Sequence, residues 1–156
     1  MLKLTKKADY GLIALKHLAA HPGKRSASVK ELGDCYRIPV PILAKVLQKL
    51  AKEGLLTSEQ GTNGGYRLAR SPQTITALEV VRAIDGPIIL TSCFTDHREC
   101  DQSNSCTVKE PLRKVHEGIL RLLDGITISD LSTDEIPGDP GRAVSQAPDA
   151  LTVLTS

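Results

Sequence analysis

The amino-acid sequence predicts a mainly α-helical protein with one small β-hairpin, arranged as a winged helix-turn-helix that is followed by a long helix. Three observations support this fold class. The first 70 residues contain three helical patterns and then a glycine-rich turn between two short arms. Lysine and arginine are concentrated in the same 70 residues, and a seven-residue apolar repeat follows a polar, cysteine-containing segment.

The first three helices are bounded by local signals. Helix one runs from about Thr5 to Ala20 and is stopped by the His-Pro-Gly that follows. Ser28 and Glu31 form a capping box that starts a short second helix, which ends near Tyr36. A third helix begins at Pro41, because proline suits the first helical position, and it ends at Gly54. Its apolar stripe lies opposite a polar face made of Ala44, Lys45, Gln48, Lys49 and Lys52.

The hairpin has arms at residues 55–58 and 66–70, joined by the turn at 61–65, whose Asn-Gly-Gly accepts positive φ. A fourth helix starts at Thr76 with another capping box and ends at Asp85. This order of elements is that of a winged helix-turn-helix. We therefore divide the chain into a DNA-binding domain (1–75), a connecting helix with a cysteine segment (76–106), a dimerisation helix (107–132) and a disordered tail (133–156).

The long helix predicts self-association. Its apolar residues are separated by alternating gaps of four and three, which is a heptad seam: Val108, Leu112, Val115, Ile119, Leu122 and Ile126. A domain of 70 residues does not cover such a seam by itself. The preferred interpretation is a homodimer through residues 107–126, and the alternative is a helix that packs on its own domain.

Charge and composition narrow the class of function. Residues 1–70 carry 13 basic and 5 acidic side chains, whereas residues 71–156 carry 7 and 13, so the net charges are +8 and −6. This asymmetry is typical of a face that binds a polyanion, although a lopsided solvated surface is the alternative. An aromatic content of 3% argues against stacking on single-stranded nucleic acid. No membrane span and no secretory signal are recognisable, so we expect a cytoplasmic protein.

Three cysteines form a second feature. Cys93, Cys100 and Cys106 have the spacing C-x6-C-x5-C, in a segment with almost nothing apolar to fold around. Clustered thiols in such a setting favour a metal or redox site, although the spacing is unusual for zinc and for bacterial ferredoxins. Three incidental cysteines are the alternative. Cys35, in the second helix, is expected to be an ordinary buried residue.

Three separated motifs resemble one family. The opening MLKLTKKADYGLIAL, the wing GTNGGYRLAR and the three-cysteine loop before a long helix are similar to the iron–sulfur-dependent winged-helix repressors, the family of the isc-operon and nitric-oxide-sensing regulators. The opening LTKKADYGL and the wing look most like the branch that controls the SUF iron–sulfur assembly operon. The resemblance covers about residues 1–130. It implies a homodimer on a pseudo-palindromic operator and a cluster on the three cysteines.

The resemblance leaves the fourth cluster ligand open. The isc-type regulators have a histidine three residues after the third cysteine, where this chain has Lys109. The nitric-oxide-sensing branch uses an aspartate in the first helix of the partner subunit, and Asp9 falls at the matching position. His97 is the second candidate, and solvent or a small thiol is the third. A [2Fe–2S] cluster is slightly favoured over [4Fe–4S].

The sequence therefore predicts a repressor that binds a double-stranded operator, with no small-molecule substrate. Lys45, Gln48 and Lys49 would face the major groove or its phosphates, and Arg67 and Arg70 would serve the wing. Thr5, Lys6 and Lys7 could hold a phosphate at the start of helix one. The alternatives are a zinc site or thiol redox sensor in the cysteine segment and, less favoured, a thiol oxidoreductase. No nucleotide-binding loop, C-x-x-C motif or base–nucleophile pair supports an enzyme.

Overall fold

The computed structural model describes residues 3–23, 26–62, 64–91, 94 and 105–133. The described helices are α1 (Lys6–Ala20), α2 (Val29–Tyr36), α3 (Val40–Lys52), α4 (Ala77–Asp85), α5 (Lys109–Asp124) and α6 (Ile128–Ser132). The described strands are β1 (Leu56–Glu59) and β2 (Gly65–Leu68), and a 3-10 turn spans Pro72–Thr74. The predicted fold class is confirmed. The predicted tail lies outside the described residues, apart from Thr133.

The starts of α2 and α4 follow the caps that the sequence predicts, and α1 begins one residue after the predicted start at Thr5. Thr5, Ser28 and Thr76 are the N-caps of α1, α2 and α4, and each side chain accepts a backbone N–H of the first turn. The start of α3 differs from prediction, and the dimerisation helix predicted over 107–132 is divided into α5 and α6. α3 begins at Val40 with Pro39 as its N-cap, so Pro41 is the second helical residue and not the first. Proline is tolerated there because the N–H groups of the first turn have no partner within the helix.

One hydrophobic core joins the helices to the base of the hairpin. Its fully buried members include Leu15 of α1, Leu32 of α2 and Leu47 of α3. Ile75 and Val80, before and within α4, belong to the same core, and α4 packs against both α1 and α3. Helix α4, which follows the predicted DNA-binding domain, therefore contributes to the hydrophobic core of that domain.

The wing is a two-stranded antiparallel sheet in which Leu56 pairs with Leu68 and Glu59 with Gly65. It is also anchored to the segment before α2, where Ala27 and Tyr66 exchange two backbone hydrogen bonds of 3.0 and 2.8 Å. Gly65 allows this approach, since a Cβ at that position would collide with the backbone of Ala27. The anchor fixes the wing relative to the helix-turn-helix.

The sequence prediction missed α6. After α5 the chain returns to the winged domain, where Ile128 donates a backbone hydrogen bond of 2.9 Å to Ile75 and its side chain is fully buried. Thr127 and Asp130 form the capping box of this helix.

In the described part of the chain, no helix has both the length and the apolar composition required to cross a bilayer.

Candidate nucleic-acid interface and cysteine segment

Five of the eight predicted DNA-binding residues line one surface cavity of about 600 Å³, here called the lysine cavity. It lies where the N-terminus of α1 meets α3 and the end of α4. Four ammonium groups and one carboxylate face it, so its net charge is positive. The full lining is Thr5, Lys6, Lys7, Lys45, Val46, Lys49, Ile84 and Asp85. A positively charged cavity beside a helix N-terminus suits a phosphate group.

Thr5 organises the α1 side of this cavity. Its Oγ1 accepts the backbone N–H of Ala8 at 3.2 Å, which caps the helix. The same hydroxyl donates to Asp85 Oδ1 at 2.6 Å, and the Thr5 backbone N–H donates to Asp85 Oδ2 at 3.3 Å. The threonine that begins α1 is therefore held by the last residue of α4.

Lys49 organises the α3 side. Its Nζ donates to the backbone oxygen of Ile84 at 2.6 Å. An ammonium has three N–H donors, so this bond leaves two for another acceptor. Lys45 and Gln48 are exposed on α3, and Gln48 lies outside the lysine cavity. The polar face of α3 is thus open to solvent as the sequence predicts.

The two predicted arginines of the wing lie apart from the lysines. Arg67 and Arg70 line a separate cavity of about 350 Å³ beside the C-terminal end of α1, together with His21. Arg67 Nε lies 3.0 Å from Glu59 Oε1, and the Arg67 side chain is 55% exposed. Surface ion pairs of this kind contribute little to stability. Arg67 therefore remains accessible to a nucleic-acid phosphate.

Arg70 is more constrained. One of its guanidinium nitrogens donates to the Thr74 backbone oxygen at 2.9 Å and to Glu79 Oε2 at 2.7 Å. Glu79 belongs to the α4 capping box and accepts the Thr76 backbone N–H at 3.0 Å. Partial burial raises the pKa of Glu79, but the hydrogen bonds from Arg70 and Thr76 outweigh it and hold the pKa below its ordinary value. Arg70 thus joins the end of the wing to α4.

The apolar seam of α5 divides into an exposed and a half-buried row. Val108, Val115 and Leu122, spaced seven residues apart, are 54%, 51% and 60% exposed. Leu112, Ile119 and Ile126 are half-buried, and α5 packs against α4. The half-buried row therefore fits the interpretation of a helix that packs on its own domain, and an apolar stripe is left in contact with solvent.

Cys106 is the one predicted cysteine ligand within the described residues. It is a half-buried free thiol just before α5. Thiolates are the ligands that hold iron–sulfur clusters, so the chemistry of Cys106 fits that group. Cys93, His97 and Cys100 lie outside the described residues, and the described part of the chain contains no group of three potential metal ligands. Cys35, predicted to be buried, is exposed.

Asp9 lies in the first turn of α1 and is half-buried. Its backbone N–H donates to the Thr5 oxygen at 3.2 Å. Among the described residues, no side chain pairs with its carboxylate.

Sequence reasoning missed the two acceptors that organise the lysine cavity. Asp85 reads in the sequence only as the residue before a helix-stopping glycine, and the backbone oxygen of Ile84 has no side-chain signal at all. Asp85 accepts from Thr5, which is 80 positions away, and the Ile84 oxygen accepts from Lys49, which is 35 positions away. Contacts over such distances become visible only in the folded structure.

Comparison with known proteins gives consistent results. A model of the Rrf2 family, described as an iron-dependent transcriptional regulator, matches residues 4–134. The HTH-type transcriptional regulator NsrR of Shouchella clausii (strain KSM-K16) is 36% identical over 146 residues, which are 93% of this chain and 96% of that protein.

Several solved structures share the fold. CymR, described as the global cysteine regulator of B. subtilis, superposes with a TM-score of 0.73 at 27% identity, over 85% of this chain and 98% of that one. IscR of T. potens superposes with a TM-score of 0.66 at 30% identity, over 85% of this chain and 88% of that one.

Proposed function

Because the chain belongs to the Rrf2 family of transcriptional regulators, which are not enzymes, we propose that it is a dimeric repressor whose binding to double-stranded DNA depends on an iron–sulfur cluster. The observation that carries the DNA-binding part is the lysine cavity. Four lysines from two helices converge with the α1 N-terminus on one volume, and this arrangement suits a backbone phosphate. Because the matching family is one of transcriptional regulators, we also place the protein in the cytoplasm.

The DNA contacts are divided by position. Thr5, Lys6 and Lys7 hold a phosphate, while Lys45, Gln48 and Lys49 of α3 lie at the major groove. Arg67 follows the adjacent backbone from the wing, and Arg70 contributes charge there while it holds the wing to α4. Phosphate contacts fix the position of the protein, whereas Gln48 on the open face of α3 is suited to read a base edge.

The exposed stripe of α5 supports a homodimer. Three large apolar residues at seven-residue spacing lie on one side of a helix, and a second copy of the same helix covers such a stripe. A two-fold dimer presents two lysine cavities and two α3 helices. Its DNA site is then expected to contain two half-sites related by the same symmetry.

The cysteine donors support the cluster. Cys93, Cys100 and Cys106 would hold it, with Asp9 of the partner subunit as the preferred fourth ligand and His97 as the second candidate. A bound cluster would supply a redox-active centre, and [2Fe–2S] is slightly favoured over [4Fe–4S]. The resemblance to the SUF branch favours iron–sulfur assembly genes as the targets.

A zinc site or a thiol sensor is the second candidate for the cysteine segment. It is favoured by one observation, since Cys106 of this segment is a half-buried free thiol. Both alternatives keep the winged helix and its DNA contacts. They differ from the cluster in colour, because a cluster absorbs visible light and zinc does not.

The test uses the full chain purified without oxygen. Visible absorbance and iron content are measured first, and the protein then selects duplexes from a random-sequence pool. Lys45→Ala should weaken binding to the selected duplex and make its salt dependence shallower by about one unit. Lys114→Ala, an exposed lysine of α5, is the matched control. Colourless protein that contains zinc would overturn the cluster, and failure to select any duplex would overturn the DNA site.

A further inference from the structure

The last turn of α4 contacts both helices that form the lysine cavity. Asp85 accepts two hydrogen bonds from Thr5, the N-cap of α1. The preceding backbone oxygen, that of Ile84, accepts the ammonium of Lys49 on α3. Two consecutive residues of one turn therefore hold one group from each DNA-facing helix.

A third contact makes this junction close-packed. The side chain of Ile84 lies over Gly11 of α1, where a Cβ would collide with Ile84 Cδ1 and would also touch Leu50 and Val80. Ile84 is buried, as are Leu50 and Val80. Because close-packed interiors transmit small displacements, a shift of this turn would move α1.

The chain leaves α4 directly toward the cysteine segment. Gly86 ends the helix with a φ of 82°, and Pro87 follows it. Gly86, Pro87, Ile88 and Ile89 line a cavity of about 300 Å³ together with Thr5 and its neighbours Lys3 and Leu4. Cys93 follows Asp85 by eight residues. The described start of the cysteine segment therefore lies beside the start of α1.

We propose that Asp85 is a positioning residue that couples the cysteine segment to the DNA-binding surface. It fixes Thr5, and with it the first turn of α1 that carries Lys6 and Lys7, while the Ile84 oxygen pre-orders Lys49. A lysine that is already ordered loses less side-chain entropy when it meets a phosphate. Any displacement of residues 86–89 changes both contacts together. This inference rests on the proposed function, since it assumes that the lysine cavity binds DNA.

The test compares two variants that remove the same charge. Asp85→Ala abolishes both acceptors of Thr5, whereas Asp85→Asn keeps one carboxamide oxygen that can accept the Thr5 hydroxyl. Both variants lose the negative charge of the carboxylate, so any increase in DNA affinity that comes from this loss is the same in the two variants. Asp34→Ala, which removes an exposed carboxylate from α2, controls for charge elsewhere in the helix-turn-helix.

The first measurement is hydrogen exchange in iron-free protein without DNA. In Asp85→Ala the amides of the first turn of α1 should exchange about fivefold faster than in the wild type, as expected when a hydrogen bond of ordinary net strength is lost. Asp85→Asn should retain most of the protection. Equal exchange in the wild type and Asp85→Ala would overturn the inference, and this readout does not depend on cluster or DNA.

The second measurement is the affinity for the selected duplex with and without bound iron. Couplings between sites commonly change affinity about 5–150-fold. The quantity compared is the ratio of the affinities with and without bound iron. In Asp85→Ala this ratio should fall to less than about twofold, while Asp85→Asn and Asp34→Ala should keep the wild-type ratio. If the affinity ratio of Asp85→Ala equals that of the wild type, the proposed coupling is wrong. If the wild-type protein itself shows no response to iron, the proposed function fails, and hydrogen exchange alone then decides whether Asp85 positions α1.

Discussion

The guanidinium of Arg70 donates a hydrogen bond of 2.7 Å to the carboxylate of Glu79, and this pair joins the end of the wing to the first turn of α4. The connection continues beyond Glu79. Thr76 shares the capping box with Glu79, and its hydroxyl donates to Asp124 at the end of α5 at 3.3 Å. A chain of polar contacts therefore runs from the wing, through α4, to the helix that we propose as the dimer interface.

Glu79 gives this connection a pH dependence. Burial raises its pKa, but the bonds from Arg70 and Thr76 lower it further, so the folded value lies below the ordinary 4.5. A carboxyl whose pKa is lowered on folding stabilises the protein above its unfolded pKa, and this contribution is lost as the pH falls through the folded pKa. Glu79→Gln should therefore lower the urea midpoint at about pH 7 and have a smaller effect at about pH 3. The same decrease at both pH values would exclude this role.

Arg70→Ala is expected to act mainly through structure. The substitution removes a partly exposed ion pair, so it should destabilise the fold by about 0.5–1 kcal/mol, measured by urea unfolding. Loss of DNA affinity should accompany it, because the wing is no longer held to α4. Arg70→Lys keeps the charge without the same hydrogen-bond geometry, and it should recover only part of the affinity. Full stability in Arg70→Ala would contradict this assignment.

Arg67→Ala should behave in the opposite way. Arg67 is more exposed, and its pairing with Glu59 adds little stability, so the urea midpoint should stay unchanged. If Arg67 contacts only phosphate, the salt dependence of DNA binding should become shallower by about one unit. Arg121→Ala, on the exposed surface of α5, is the control that should leave both unchanged. Unaltered affinity and slope in Arg67→Ala would remove this residue from the interface.

Local signals predicted most of the fold. The capping residues Ser28 and Thr76 lie where the sequence placed them, because a cap depends only on residues two or three positions away. α6 has five residues, which is too short for a helical period to be visible. The Thr127–Asp130 capping box was the signal that could have revealed it.

The candidate site was predicted less completely. The positions of its lysines followed from the helix faces, which are local properties of the sequence. The acceptors of Thr5 and Lys49 depend on α4 returning across α1 and α3, and no pattern within a short window contains that information. The apolar seam of α5 is a further example. Its seven-residue period identifies six apolar residues, but the period does not tell which of them are packed against other parts of the same chain.

The structure therefore changes the residues best suited to test dimerisation. Leu112 and Ile119 are half-buried, so charges there would also disturb their own domain. Val115→Asp with Leu122→Asp places two charges on the exposed stripe, and burying them at a dimer interface is costly. Sedimentation should show monomers of the double variant and dimers of Lys114→Asp. A double variant that remains dimeric would show that copies of the chain associate elsewhere.

The cysteine assignment predicts a clear division among variants. Replacing Cys93, Cys100 or Cys106 by serine should abolish visible absorbance, because a hydroxyl is a harder and more basic ligand for iron than a thiolate. Cys35→Ser should keep the colour, since Cys35 is an exposed free thiol on α2. Absorbance and iron content after anaerobic reconstitution measure both effects. Colour that depends on Cys35 would contradict the three-cysteine site.

The fourth ligand is tested by Asp9→Ala and His97→Ala under the same conditions. Asp9 is a half-buried carboxylate that no described side chain of its own subunit pairs with, which is what a ligand for the partner subunit requires. Asp9→Ala should bind iron but lose it faster, with a shifted spectrum, because a hard carboxylate exchanges with water more readily than a thiolate. His97→Ala should match the wild type. The reverse pattern, in which His97→Ala is colourless and Asp9→Ala is unchanged, would place the fourth ligand within the cysteine segment and end the cross-subunit assignment.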